Sequence, residues 1–176
     1  KDLKELLGGK GANLAEMTNL GLPVPPGFTI TTEACKAYLA QGSQPEAMSG
    51  QVTEHLTTLE QAMGRRLGDP ADPLLLSVRS GAAFSMPGMM DTVLNIGLND
   101  ESVVGLAEKS EDERFATDSY RRLLQMFGST VMGVDGELFH AALDGRKKEK
   151  GTTADLDLDV EDLRGLVDAF KKIIVD

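Results

Sequence analysis

A single cysteine, Cys35, among 176 residues excludes an internal disulfide. No stretch approaches the roughly 20 consecutive apolar residues that a membrane-spanning helix needs, and no charged-then-apolar leader opens the chain. Positive charge is also scarce. Against 28 Asp and Glu stand only 18 Lys and Arg, a net charge of −10, which opposes general affinity for nucleic acid or for an anionic membrane surface. An anionic ligand would therefore need a local positive spot. These absences point to a reducing, cytoplasmic setting. What is present is ordinary for a globular protein: 41% of residues are hydrophobic and 26% charged, enough chain for one domain or two small subdomains. Beginning at Lys1 inside an apparent helix, the chain reads as a fragment of something longer.

The apolar spacing predicts an α+β fold in two parts. Residues 1–7 and 12–20 have helical spacing, with Leu14, Met17 and Leu20 on one face and a helix start near Ala12. The proline-rich run from Pro23 to Gly27 leads into a short strand, Phe28 to Ile30; Thr31 or Thr32 then caps a helix to about Leu39. A helix from Gln51 to Leu67 buries Val52, Leu56, Leu59 and Met63. Turn residues 68–73 precede a strand from Leu74 to Val78, and another strand runs from Thr92 to Ile96. After Asn99 the pattern becomes helical. Glu113 to Met132 aligns Phe115, Leu123, Leu124, Phe127 and Val131; Asp135 to Lys150 ends in a basic run; Gly151 to Asp159 is an acidic linker; Glu161 to Val175 aligns Leu163, Leu166, Val167, Phe170 and Ile174. Residues 1–99 thus form an α/β part and 100–176 a helical one.

Two segments suit phosphate. The run Leu74-Leu75-Leu76-Ser77-Val78-Arg79-Ser80-Gly81 delivers one arginine at the end of an apolar strand, followed by small residues and methionines through Thr92. The permanently charged, forked guanidinium of Arg79 matches phosphate oxygens. In Gly8-Gly9-Lys10-Gly11-Ala12, glycines allow close backbone approach at a helix start, and Lys10 adds a mobile charge. Two familiar phosphate loops are excluded, because Gly11 rather than Ser or Thr follows Lys10, and no glycine stands at the sixth position of Gly9-Lys10-Gly11-Ala12-Asn13-Leu14. From spacing alone Arg79 also fits a structural ion pair, and Lys10 a solvated side chain.

The segments Gly8 to Met17, Gly21 to Phe28, Ser77-Val78-Arg79-Ser80-Gly81 and Met86-Pro87-Gly88-Met89-Met90-Asp91-Thr92 resemble the amino-terminal region of the pyruvate, phosphate dikinase family. The related pyruvate, water dikinases share the Gly-Gly-Lys-Gly and Val-Arg-Ser features but not the methionine-rich stretch. The resemblance implies an ATP-grasp-like nucleotide-binding subdomain over residues 1–99, followed by a helical subdomain over 100–176 that is incomplete at its carboxy end. It aligns Lys10 and Arg79 with positions used on nucleotide phosphates. It suggests that Gly81 and Gly88 permit close approach, with Ser80, Ser85 and Thr92 as hydroxyl donors.

The implied parent reaction converts ATP, phosphate and pyruvate to AMP, pyrophosphate and phosphoenolpyruvate through a phosphohistidine. Magnesium accompanies ATP, with ligands expected outside this fragment, so the acidic residues from Asp155 to Asp162 are not assigned to it. Implied partners are ATP and the remaining domains of a longer chain, a homo-oligomer when complete, with no nucleic acid or membrane. The rival readings are the nucleotide module of a pyruvate, water dikinase or related phosphotransferase, and a non-catalytic nucleotide-binding module. Neither His55 nor His140 stands in the family's Gly-Met-Thr-Ser-His sequence, and Cys35 does not match its acid/base cysteine. No residue here is assigned a catalytic role. The purified chain is therefore expected to form no AMP from ATP, phosphate and pyruvate with magnesium; steady AMP production would contradict this.

Overall fold

In the computed structural model, which describes residues 3–81 and 91–175, seven α-helices and four short strands are seen among the described residues, an α+β arrangement. It divides into two compact units, residues 1–64 with 79–91, and residues 65–78 with 92–176.

The first unit carries α1 (Lys4–Asn19), α2 (Thr32–Gln41) and α3 (Met48–Met63). Within α1, Gly8 has φ 70° and ψ 168°, so the helix breaks there and resumes at Gly9, three residues before the expected start at Ala12. The shift follows from local chemistry: Gly8 alone needs a conformation closed to other residues, whereas Gly9 and Gly11 are helical. Thr32 Oγ1 donates to the carbonyl of Glu5 at 2.8 Å and ties α2 to the first turn of α1. The expected strand at 28–30 does not form: these residues run without regular structure, and Phe28 instead stacks on His55 of α3 with ring centroids 5.6 Å apart. A helix expected over 51–67 is shorter at its far end, because Gly64 takes φ 64° and stops it. Of its expected stripe Leu59 is buried, Val52 and Leu56 are half-buried and Met63 is exposed.

The second unit begins with β1 (Arg66–Leu67) and β2 (Pro73–Leu74), paired in parallel with Leu67 opposite Leu74. The turn between them is closed by Asp69, whose carboxylate accepts from the N–H groups of Ala71 and Asp72, and these bonds lower its pKa. The strand expected over 74–78 is split at Leu75, because β2 pairs with β1 while β3 (Leu76–Arg79) pairs with β4 (Thr92–Ile96). Arg79, at the end of β3, falls in the first unit.

Helix α4 (Ser102–Ser110) was not anticipated by the spacing. Its start is built by reciprocal bonds: Asn99 Oδ1 accepts from the N–H groups of Glu101 and Ser102, and Ser102 Oγ accepts from Asn99 N–H while donating to the Gly97 carbonyl. Helices α5 (Glu113–Thr130) and α6 (Gly136–Lys150) are capped by Asp112 and Asp135, and α7 (Val160–Val175) completes the set. The inward face of α5 carries Ala116, Tyr120 and Leu123, while Phe115, Phe127 and Val131 of the expected stripe are exposed. Its small residues admit close neighbours, and Arg121 is buried beside them in an ion pair with Asp118.

One core cluster joins Phe139, Leu143, Leu158, Leu163, Leu166 and Phe170, with Phe139 and Phe170 edge to face at 5.0 Å. Full burial of each such side chain contributes about 1.5–3 kcal/mol. A second cluster joins Val93 and Leu98 to Tyr120, Leu123 and Val167, so packing runs across residue 99. The segment expected as an acidic linker is part of this structure. Arg114 donates to the carbonyls of Leu158 and Asp155, and Lys147 pairs with the Asp155 carboxylate at 2.8 Å.

At Gly128 a Cβ would lie 2.5 Å from Phe139 Cζ and 3.1 Å from Ile174 Cγ1, whereas at Gly145 it would meet nothing within 4 Å. Gly128→Ala is expected to destabilise the protein by about 1–3 kcal/mol through overpacking. Gly145→Ala should stabilise it by up to about 1 kcal/mol through helix propensity. Urea denaturation of both variants checks the pair; an unchanged midpoint for Gly128→Ala would contradict the close packing of α5 on Phe139.

Candidate functional site

The glycine break at Gly8 places Lys10 in the first turn after helical geometry resumes, where the helix carries positive partial charge. The half-buried Lys10 extends its ammonium to the carbonyl of Ser80 and donates to it at 2.8 Å. Ser80 is itself held by the Asp91 carbonyl, which accepts from Ser80 N–H at 3.0 Å and from Ser80 Oγ at 2.8 Å. The two ends of the segment that follows Arg79 are thereby brought together. Arg79, Ser80 and Gly81 are all exposed. No ion pair to Arg79 is found among the described residues, so a structural ion pair does not account for it there. Among the described residues nothing lies within 4 Å of a Cβ built on Gly81, so none of them covers its backbone.

Lys10, Arg79, Ser80 and Gly81 lie in the first unit, with Lys10 and Ser80 in direct contact. Thr92 is half-buried as the first residue of β4 and belongs to the second unit. Ser85 and Gly88 lie outside the described residues. Two groups were missed by sequence reasoning, the carbonyls of Ser80 and Asp91. Backbone acceptors leave no mark in residue type, and the contact spans 70 positions.

The histidines and the basic run have neighbours within the protein, and Cys35 does not join the site. His55 stacks on Phe28, and His140 is exposed beside Glu137. Cys35 is exposed on α2. In the basic run, Arg146 pairs with Glu149, Lys147 with Asp144 and Asp155, and Lys150 with Asp159 and Asp162. The Lys150 ammonium and the Asp162 N–H hold the Asp159 carboxyl down at about 2. An open groove of about 650 Å³ in the second unit includes Asp100, Tyr120, Glu113, Arg164 and Lys171. Its cations are already paired, Lys171 with Asp100 and Arg164 with Glu113. Among the described residues no three His, Cys, Asp or Glu side chains form a cluster able to hold a metal ion, and no helix is long and apolar enough to cross a membrane.

Residues 4–47, which include Lys10, match the sequence profile of the family described as pyruvate phosphate dikinase, AMP/ATP-binding domain. Over its whole length the chain is 57% identical to the chloroplastic pyruvate, phosphate dikinase of Flaveria trinervia, of which it covers 18%. It is 58% identical to the chloroplastic pyruvate, phosphate dikinase 1 of Oryza sativa subsp. japonica and 56% identical to pyruvate, phosphate dikinase 2 of Zea mays, covering 19% and 20% of those proteins. The chain thus spans about a fifth of the length of these curated relatives.

Because the buried Gly8 adopts a φ and ψ that only glycine occupies readily, Gly8→Ala is expected to cost about 1–3 kcal/mol. Amide hydrogen exchange over residues 9–19 should accelerate, while Gly50→Ala, in open space within α3, should leave those amides unchanged. Unaltered protection in Gly8→Ala would contradict the break as the determinant of where Lys10 sits.

Proposed function

Because the chain belongs to the pyruvate, phosphate dikinase family, we propose that it supplies part of the ATP-binding site of a longer dikinase converting ATP, phosphate and pyruvate to AMP, pyrophosphate and phosphoenolpyruvate. The observation that carries this reading is the bond from Lys10 to Ser80, which sets a lysine beside the segment that presents Arg79 and Gly81. Phosphoryl transfer depends on positioning and on neutralising oxygen charge. Lys10 would meet phosphate as a point charge and Arg79 as a two-pronged donor, with Gly81 leaving backbone accessible. Neither group moves a proton. On this reading an ATP-grasp-like nucleotide-binding part holds Lys10, Arg79, Ser80 and Gly81, all in the first unit, while the boundary expected at residue 99 gives way to a core that packs across it.

Magnesium, when bound with ATP, would neutralise phosphate charge, and among the described residues no three His, Cys, Asp or Glu side chains gather into a ready-made cage for it. The carboxylates of Asp155, Asp159 and Asp162 are engaged by lysines. On this reading the metal ligands, the phosphohistidine and the pyruvate site come from other domains of the same longer chain, and the complete chain forms a homo-oligomer. The single exposed cysteine supports a reducing, cytoplasmic setting, while two of the relatives named above are described as chloroplastic.

In the complete enzyme, Arg79→Ala should lower the nucleotide half-reaction roughly ten- to a hundred-and-fifty-fold, the equivalent of charge-assisted hydrogen bonds of about 1.5–3 kcal/mol. Exchange of phosphate between histidine and pyruvate should be spared. Arg79→Lys should recover little, since one ammonium does not reproduce the fork. Assaying both half-reactions on one folded variant checks this, and equal impairment of both, or of neither, would make Arg79 scaffold.

A further inference from the structure

We propose that Ser80 is a positioning residue for Lys10 rather than a phosphate ligand, an inference that rests on the nucleotide site just described and assigns Ser80 a role within it. A serine hydroxyl has one proton to donate, and that of Ser80 goes to the Asp91 carbonyl at 2.8 Å. Phosphate oxygens at neutral pH accept hydrogen bonds, so a hydroxyl already committed as donor has nothing to give them. The backbone N–H of Ser80 ends on the same Asp91 oxygen at 3.0 Å. Two donors on one acceptor fix the orientation of this residue, and its own carbonyl then receives the Lys10 ammonium at 2.8 Å.

The choice of acceptor matters chemically. A carboxylate partner would cancel the charge of Lys10, whereas a neutral carbonyl holds the ammonium in place and leaves its charge available. The ammonium has three N–H donors, and one bond to Ser80 leaves two for phosphate oxygens. A long flexible side chain is ordered in advance, which lowers the entropic cost of engaging an anion. Ser80 thus acts through Lys10, and its hydroxyl matters because it holds the Ser80 carbonyl at the right place.

Two measurements on the 176-residue chain test this. In the first, reductive methylation is followed residue by residue by mass spectrometry, with the exposed Lys148 as internal reference. Ser80→Ala should raise the Lys10 rate about two- to tenfold, the equivalent of one neutral hydrogen bond, and Ser80→Thr, which keeps the hydroxyl, should retain the wild-type rate. Ser80→Cys, a weaker donor, should fall between them and serves if the alanine variant does not fold. Equal Lys10 rates in all variants would overturn the proposal.

In the second, magnesium ATP is titrated calorimetrically into wild type, Ser80→Ala, Lys10→Met and the double variant. Ser80→Ala should weaken binding about two- to tenfold in the wild-type background and less than about twofold in the Lys10→Met background, because coupled residues are non-additive. An equal loss in both backgrounds would mean that the Ser80 hydroxyl touches the nucleotide itself and would overturn the positioning role. If the wild-type chain bound no ATP, the nucleotide-site reading would fail, while the methylation rates would still decide whether Ser80 positions Lys10.

Discussion

The hydrogen bond from the Lys10 ammonium to the Ser80 carbonyl joins positions 70 residues apart in the chain, and the candidate site depends on it. Without that contact a glycine-rich helix start and a strand-end arginine would be two separate pieces of phosphate-directed chemistry. The contact in turn needs two backbone conditions. Gly8 breaks α1 so that helical geometry resumes before Lys10, and the Asp91 carbonyl holds Ser80 in the orientation in which its own carbonyl meets the ammonium. The two bonds to the Asp91 carbonyl are neutral and contribute only about 0.5–1.5 kcal/mol net each, while the charge-assisted bond from Lys10 is exposed to solvent. Their value lies in fixing geometry for a charge that must remain unneutralised.

The second unit shows the opposite distribution of energy. Its helices bury Phe139, Phe170, Leu158 and Leu163 almost completely, and its charges are spent on holding irregular chain in place. Arg114 and Lys147 fasten the 155–158 segment, while Arg121, nearly inaccessible to solvent, is satisfied by Asp118 and Gln125. Cations used in this way are poor candidates for binding an external anion, because releasing them would leave carboxylates uncompensated. Arg79, which is exposed, shows among the described residues neither an ion pair like that of Arg121 nor carbonyl bonds like those of Arg114. That contrast is the physical reason to separate it from the structural arginines.

Side-chain periodicity made the strongly amphipathic elements legible. The inward set Leu163, Leu166, Val167 and Phe170 of α7 is as its spacing predicts, and β4 has the expected limits. On α5 the same logic misplaced Phe115 and Phe127, because packing selected the small face at Ala116, Thr117 and Ser119 over the aromatic one. Helix α4 escaped notice because its start depends on reciprocal side-chain and backbone bonds among Gly97, Asn99 and Ser102 rather than on an apolar stripe. The 28–30 strand failed for a related reason: local extended propensity does not make a strand without a partner, and Phe28 found a ring to stack on instead. For the candidate site, residue type pointed to Lys10 and Arg79 as chemistry. The carbonyls of Ser80 and Asp91, which organise that chemistry, carry no side-chain signature.

The proposed role of Arg79 and the backbone at Gly81 is to recognise the phosphates of ATP. Its most direct test is a heteronuclear NMR titration following the Arg79 side-chain Nε–H and the Gly81 amide, with ATP in one series and adenosine in the other. ATP should shift both signals, and adenosine, which carries the base and ribose but no phosphate, should leave them in place. Equal shifts with the two ligands, or ATP binding that leaves both signals unmoved, would contradict it.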